Sequence, residues 1–239
     1  MAEKFMHNMF RRFESEIEHR GEIIVIGLGR FGSSLSRSLV DMGHEVLGVD
    51  LDPANVQAHT GVLTHVAEAD TTNDQTLRQL GVADARTVAV CIGADVEASV
   101  LTTVAVSDLG VPNIWAKAMT EPHGRILSRV GAHNVVFPEA EMGTRVAHLI
   151  TGRMLEYIAL DDDFVLVELA APRSLVGVPL GESNLRRDHQ VTIVCHKPDS
   201  GLFTHTDRDT VLSAADLVVV AGRREAVDAF SRSNSTGAD

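Results

Sequence analysis

The sequence predicts a doubly wound α/β domain with a parallel sheet, followed by a small α+β domain. Three observations lead there. Short apolar runs alternate with helix-spaced stretches from residue 22 to residue 137. Gly43, Gly81, Gly110 and Gly131 each close one of the helical stretches. After residue 160 the pattern changes to strands separated by short helices.

The first domain reads as strands at residues 22–26, 44–50, 62–67, 87–92, 113–117 and 134–137. Helices fall between them at residues 31–42, 53–59, 73–80, 96–109 and 122–130. Such alternation demands right-handed crossovers over a parallel sheet covered on both faces. The closing glycines suit the left-handed turn that ends a helix. Residues 139–158 continue in helical spacing, with an apolar stripe of Met142, Val146, Leu149, Ile150 and Leu155. A long helix after a completed sheet serves for crossing over or dimerising, and residues 139–160 are assigned that role. A compositional break at residues 161–163 opens the second domain, residues 161–231. It holds strands at 164–169, 190–196 and 216–220 and helices at 183–187 and 223–230. The polar residues 232–239 read as a disordered tail. Ahead of residue 21, Phe5, Met6, Met9, Phe10, Phe13 and Ile17 share one helical face. That extension packs on its own body or a neighbouring subunit, or else contacts a membrane partner.

Charge and composition exclude several functions. Lys and Arg number 21 against 33 Asp and Glu, a net charge of −12. A protein that neutralises nucleic-acid phosphates needs a basic face, and no basic cluster stands out. The longest apolar runs, such as residues 23–26 and 217–221, are strand-length, far from the roughly 18–20 residues of a membrane span. A membrane role must therefore pass through a partner. Glu3, Glu14, Glu16 and Glu18 interrupt the apolar residues of the N-terminus, which is no signal peptide. Cys91 and Cys195 lie in strand-like segments without a CxxC companion and read as small buried hydrophobes.

The chemistry concentrates after the first strand, at Gly27-Leu28-Gly29-Arg30-Phe31-Gly32. The glycine pattern stands between a strand and a helix, with an acid at the end of the second strand, the context of a Rossmann-type dinucleotide site. Gly27 permits the tight turn, Gly29 lets the backbone approach a pyrophosphate, and Gly32 lets helix and strand pack closely. The helix N-terminus supplies N–H groups and partial positive charge to the phosphates. Asp50, 18 residues beyond Gly32, is placed to accept from both ribose hydroxyls and repels a 2′-phosphate, which disfavours NADP. Leu51 follows it at the site. Arg30 sets a guanidinium beside the phosphate loop, suited to a terminal phosphate or one from a partner subunit. Asp70-Thr71 and Gly93-Ala94 close the third and fourth strands at the carboxyl edge, where ligands bind. Asp70 either meets adenine or caps the helix that begins near Asn73.

An NAD-dependent oxidoreductase needs an acid/base over the nicotinamide. The single tyrosine, Tyr157, has no YxxxK pattern, and the eleven histidines are scattered. The sequence thus predicts a non-enzyme.

Several segments together resemble the KtrA/TrkA family of RCK proteins, regulators of potassium conductance. They are IGLGRFG (26–32), MGHEVLGVD (42–50), IGADVEASVLTT (92–103), PNIWAKA (112–118) and FPEAEMG (137–143). The likeness runs from residue 22 to residue 230, and the single-copy length is KtrA-like. It implies a cytosolic subunit that assembles as a homodimer and then a ring beneath a membrane-embedded, KtrB- or TrkH-like potassium-conducting subunit. ATP or ADP would occupy the Rossmann site and gate the pore, with NAD or NADH the alternative ligand. Carried over by motif, Arg30 would reach the γ-phosphate region, Asp50 the ribose and Lys117 the nucleotide. Glu139 would lie near the dimer axis and help hold Mg²⁺, Ca²⁺ or Na⁺. The second domain resembles an effector domain that binds cyclic di-AMP in some members. Asn184-Leu185-Arg186 matches its arginine-bearing helix, whereas Thr192 replaces an asparagine common in such binders and Asp188 adds negative charge.

Overall fold

Two periodicities in the chain produce two sheets of different kind. The computed structural model describes residues 23–150, 154–161 and 163–235. The expected N-terminal helix and residues 236–239 of the expected tail lie outside them. The chain divides into two compact units between Glu139 and Ala140.

The first unit alternates strand and helix as its sequence pattern requires. Its strands are β1 (Ile23–Ile26), β2 (Val46–Asp50), β3 (His65–Glu68), β4 (Thr87–Val90), β5 (Asn113–Lys117) and β6 (Asn134–Val136). Its helices are α1 (Arg30–Asp41), α2 (Pro53–His59), α3 (Asp74–Gln79), α4 (Val96–Asp108) and α5 (Glu121–Arg129). All described pairings in this sheet are parallel, in the order β3-β2-β1-β4-β5-β6. The order reverses at β1/β4, and ligands of open α/β sheets bind at that switch point. Ile24 and Ile26 enter one core with Val88, Val90, Ile114 and Leu127. Val25 faces the opposite side with Val46, Ala89 and Cys91. This two-sided burial is why β1 is apolar at every position rather than alternating. Each large aliphatic side chain so buried contributes about 1.5–3 kcal/mol.

In the second unit, β7 (Glu156–Ala159), β8 (Phe164–Ala170), β9 (Val191–Lys197), β10 (Thr204–His205) and β11 (Leu217–Arg223) form an antiparallel sheet in the order β10-β9-β11-β8-β7. Val165, Val167 and Leu169 of β8 alternate inward and pack with Val227 and Phe230 of the last helix, Arg224–Ser235. A helix beginning at Pro138 runs to Ile150 and contains the boundary between the units.

Three expectations need correction. The helix expected to continue to residue 158 has ended by Met154, and residues 156–159 form β7, paired with β8. Tyr157 is buried between more exposed neighbours, so cross-strand pairing wins over the helical spacing of Leu155 with the preceding stripe. The second domain's sheet therefore begins before residue 161. The third strand starts at His65 rather than residue 62, because Gly61 adopts a positive φ of 78° and residues 60–64 turn. Finally, residues 232–235 continue the last helix instead of opening the tail.

Helix ends follow the glycine punctuation. Gly43, Gly81, Gly110 and Gly131 all have positive φ. At the end of α5, Ala132 N–H donates to the Leu127 carbonyl at 3.0 Å, a Schellman closure that requires the turn at Gly131. Gly131 has φ 115°, and an added Cβ would lie 2.0 Å from Ser107 Oγ. Gly43 has φ 88°, but an added Cβ there meets nothing within 4 Å. Urea denaturation should therefore rank the two alanine variants. Gly43→Ala loses about 1 kcal/mol of backbone preference, and Gly131→Ala about 2–3 kcal/mol through added overlap.

Candidate nucleotide site

The site is built where β1 gives way to α1. Gly27 turns the chain with φ 93°, and its N–H donates to the Val49 carbonyl at 2.7 Å. A Cβ on Gly32 would lie 1.8 Å from the Gly27 carbonyl oxygen, so only glycine lets α1 approach the turn this closely. Gly29 behaves differently: a Cβ there meets no protein atom within 4 Å. The bareness of Gly29 therefore serves the space above the loop and not the packing beneath it. Gly29 also offers no side-chain cap to α1, and the first turn holds no acid. The helix thus presents its N-terminal partial positive charge to that space.

Asp50 organises the loop from the end of β2. Its Oδ2 accepts from Leu28 N–H at 2.6 Å and from Asn55 Nδ2 at 3.2 Å, and its Oδ1 accepts from Asp52 N–H at 2.8 Å. The Leu28 side chain is buried in the core, so this residue serves the site through its backbone alone. Asn55 was not expected at the site. Its carbonyl accepts from His59 Nδ1 at 2.7 Å, and His59 Nε2 accepts from Ser33 Oγ at 2.7 Å in that tautomer. A continuous chain of bonds therefore joins α1 and α2 to the carboxylate of Asp50. The only sequence signal was the position of both residues in the helix directly after Asp50.

Gly27, Gly29, Asp50, Leu51, Asp70, Thr71, Gly93 and Ala94 line one cavity of about 300 Å³ at the carboxyl edge of the sheet. The structure separates the two roles considered for Asp70. Asn73 caps α3, accepting from Gln75 and Thr76 N–H, while Asp70 accepts from Thr72 Oγ1 at 2.7 Å and Thr72 N–H at 3.0 Å. These two bonds hold the Asp70 carboxyl below its ordinary range. Thr71 is buried, with its hydroxyl 3.0 Å from that of Thr102.

Arg30, Phe31, Lys117 and Glu139 stand beside that cavity rather than in its lining. Phe31 and Lys117 line an adjoining apolar cavity, and Cys91 lines both. Lys117 is buried, and its Nζ donates to Glu139 Oε1 at 2.6 Å. The Lys117 hydrogen bond holds the Glu139 carboxyl below its ordinary range, and the charge of Arg30 adds a smaller effect in the same direction. Burial pushes the Cys91 thiol up to about 12, which keeps it neutral. Among the described residues, no three His, Cys, Asp or Glu side chains are grouped to hold a metal ion.

In the second unit, Asn184, Arg186, Arg187, Thr192, Thr206 and Arg208 help line a cavity of about 440 Å³. Arg186 Nε donates to Thr192 Oγ1 at 3.1 Å. Asp188, expected to disfavour an anion here, is paired with Arg187 at 2.8 Å and does not line the cavity.

Comparison with known proteins agrees with this architecture. The TrkA-N domain family matches residues 23–138 and the TrkA-C domain family matches residues 164–234. Ktr system potassium uptake protein A of Bacillus subtilis is 35% identical over 210 residues, which cover 87% of this chain and 95% of that protein. Protein C of the same system is 32% identical, covering 88% and 96%, and protein A of Vibrio alginolyticus is 32% identical, covering 85% and 93%. The GsuK RCK domain has the same fold, with a TM-score of 0.62 at 23% identity over 91% of this chain. A GsuK channel bound to NAD superposes with a TM-score of 0.60 at 24% identity over 89% of this chain. The chain spans 48% and 39% of those two solved chains. With both domain families in order and a 35% identical Ktr protein matched nearly end to end, the chain belongs to the KtrA/TrkA family of RCK proteins.

Proposed function

We propose that this chain is the nucleotide-binding regulatory subunit of a potassium uptake system. The observation that carries the reading is the open space above Gly29, bounded by an uncapped helix N-terminus and Asp50, in a chain homologous to Ktr uptake proteins. A pyrophosphate fits the helix terminus. A ribose would share the acceptor capacity of Asp50, and exposed Leu51 offers an apolar surface to a base. Arg30 makes no ion pair among the described residues and is available to a further phosphate. This favours ATP and ADP over NADH as the ligands whose exchange regulates transport.

The relatives are components of transport systems, which supports a regulatory and not a catalytic chain. Among the described residues no helix is long and apolar enough to cross a membrane. The regulatory reading therefore places the chain on the cytoplasmic side, held by a potassium-conducting membrane subunit. The adjoining cavity supports a homodimer as the first step of a ring. It is about 280 Å³, lined by Phe31, Leu35, Leu39, Ala89 and Trp115, and leaves Trp115 41% exposed. Glu139 supplies oxygen ligands suited to Mg²⁺, Ca²⁺ or Na⁺ where nucleotides of two copies face each other, a cation that would offset phosphate repulsion. In the second domain, Arg186 and Arg208 line one cavity and favour an anionic ligand, and pairing of Asp188 with Arg187 removes one objection to cyclic di-AMP there.

Two variants test the nucleotide reading. Gly29→Val places a side chain in the ligand's space while meeting no protein atom. Urea denaturation should show a loss of no more than about 1 kcal/mol. Calorimetry should show ATP and ADP binding weakened by at least about a hundredfold, since the pyrophosphate then lacks its approach. Unchanged binding would move the site elsewhere. Arg30→Ala should weaken ATP about tenfold to a hundredfold more than ADP, the size of a charge-assisted contact to one terminal phosphate. Equal losses for the two would reduce Arg30 to a surface residue.

A further inference from the structure

We propose that Glu139 is an internal substitute for the terminal phosphate of a nucleoside triphosphate, and that competition between the two for Lys117 sets the protein's preference for three phosphates. The inference rests on the nucleotide reading above and assigns the chain's own carboxylate a part in selecting the ligand.

Lys117 is the reason such a competition exists. Its side chain is 9% exposed, and an ammonium removed from water needs an anion beside it. Glu139 supplies that anion at 2.6 Å, from a side chain that is 55% exposed. The two ends of the pair are thus unequal. Glu139 returns to water at little desolvation cost, whereas Lys117 cannot lose one anion without gaining another. A phosphate meets this demand, because its oxygens accept charge-assisted hydrogen bonds and it carries more charge than a carboxylate.

The position of Lys117 brings the phosphate within its reach. Lys117 Nζ lies 5.7 Å from the ring centroid of Phe31, in the first turn of α1. A Cβ on Gly93, which lines the nucleotide cavity, would lie 3.2 Å from the same Nζ. The Lys117 ammonium therefore borders both the helix terminus and the cavity. Arg30, also in that first turn, is close enough for its charge to be felt at Glu139. The carboxylate stands where two cations converge beside a phosphate loop.

Two exclusive states follow. Without a third phosphate, Glu139 ties the start of its helix to the end of β5. With one, the phosphate takes Lys117 and the carboxylate is freed, and becomes available to a cation. A diphosphate that stops short of Lys117 leaves the tie in place.

Carbodiimide cross-linking of the full wild-type chain reads the tie directly. The reagent activates the Glu139 carboxyl, the Lys117 amine displaces it to form an amide, and the carbodiimide leaves as its urea. Peptide mass spectrometry should find the Lys117–Glu139 cross-link in nucleotide-free protein and in protein saturated with ADP. At saturating ATP, after divalent cations have been removed by desalting and with no added carboxylate in any arm, its yield should fall at least about fivefold below that at the same concentration of ADP. A yield unchanged by ATP, with saturation shown by calorimetry in the same buffer, overturns the proposal while leaving the nucleotide site intact. An absence of ATP binding in that calorimetry instead overturns the nucleotide reading itself. Glu139→Asp provides an independent check, because it keeps the charge but shortens the reach to Lys117. It should raise the ratio of ATP to ADP affinity about threefold to thirtyfold in EDTA. A ratio that stays at the wild-type value, or falls, counts against competition.

Discussion

Gly32 packs against the carbonyl of Gly27 more closely than any side chain allows, and the geometry of the first domain follows from that approach. It brings the first turn of α1 over the end of β1 and aims the helix terminus along the carboxyl edge of the sheet. The turn is then locked from the far side by Asp50, whose carboxylate accepts the Leu28 N–H. One close contact and one charge-assisted hydrogen bond thereby fix the phosphate loop before any ligand arrives. Binding then has little ordering cost to overcome, which is the advantage of a preorganised site. Asp50 consequently has two duties, and its loss would disturb the loop as well as any ribose contact.

Two of the three glycines of the loop do opposite work. Gly32 is required by protein atoms and Gly29 by their absence. The same contrast separates Lys117 from Arg30. Lys117 is buried and already paired, whereas Arg30 is exposed on the first turn of α1. A site arranged in this way can hold one part of its charge in reserve. Where a third phosphate competes for Lys117, its pair with Glu139 is the part that changes and the glycine turn is the part that does not.

Much of this was legible in the sequence because the relevant signals are local. The strand–glycine–helix order, the acid ending β2 and the glycines ending helices each reflect a constraint acting within a few residues, and the parallel pairing of the strands follows from their alternation. The signals failed where distant pairing decided the outcome. Residues 156–159 carried helical spacing from the preceding stripe, and only their ladder with β8 makes them a strand. The link from His59 to Ser33 was hidden for the same reason, since it depends on α1 and α2 lying side by side, whereas Asn55 meets Asp50 only five residues away. The cavity in the second domain likewise gathers Arg186 and Arg208 from separate segments. The pairing of Asp188 with its neighbour Arg187, by contrast, was within reach of the sequence.

The central claim is that the first domain holds an adenine nucleotide in a chain that works as an oligomer. Native mass spectrometry of the full-length protein, purified without added nucleotide and then titrated with ATP, tests both parts in one spectrum. The account predicts an even-numbered assembly that carries, or takes up, one adenine nucleotide per chain. A monomer that remains bare through the titration, and that also fails to take up ADP or NADH, would contradict it.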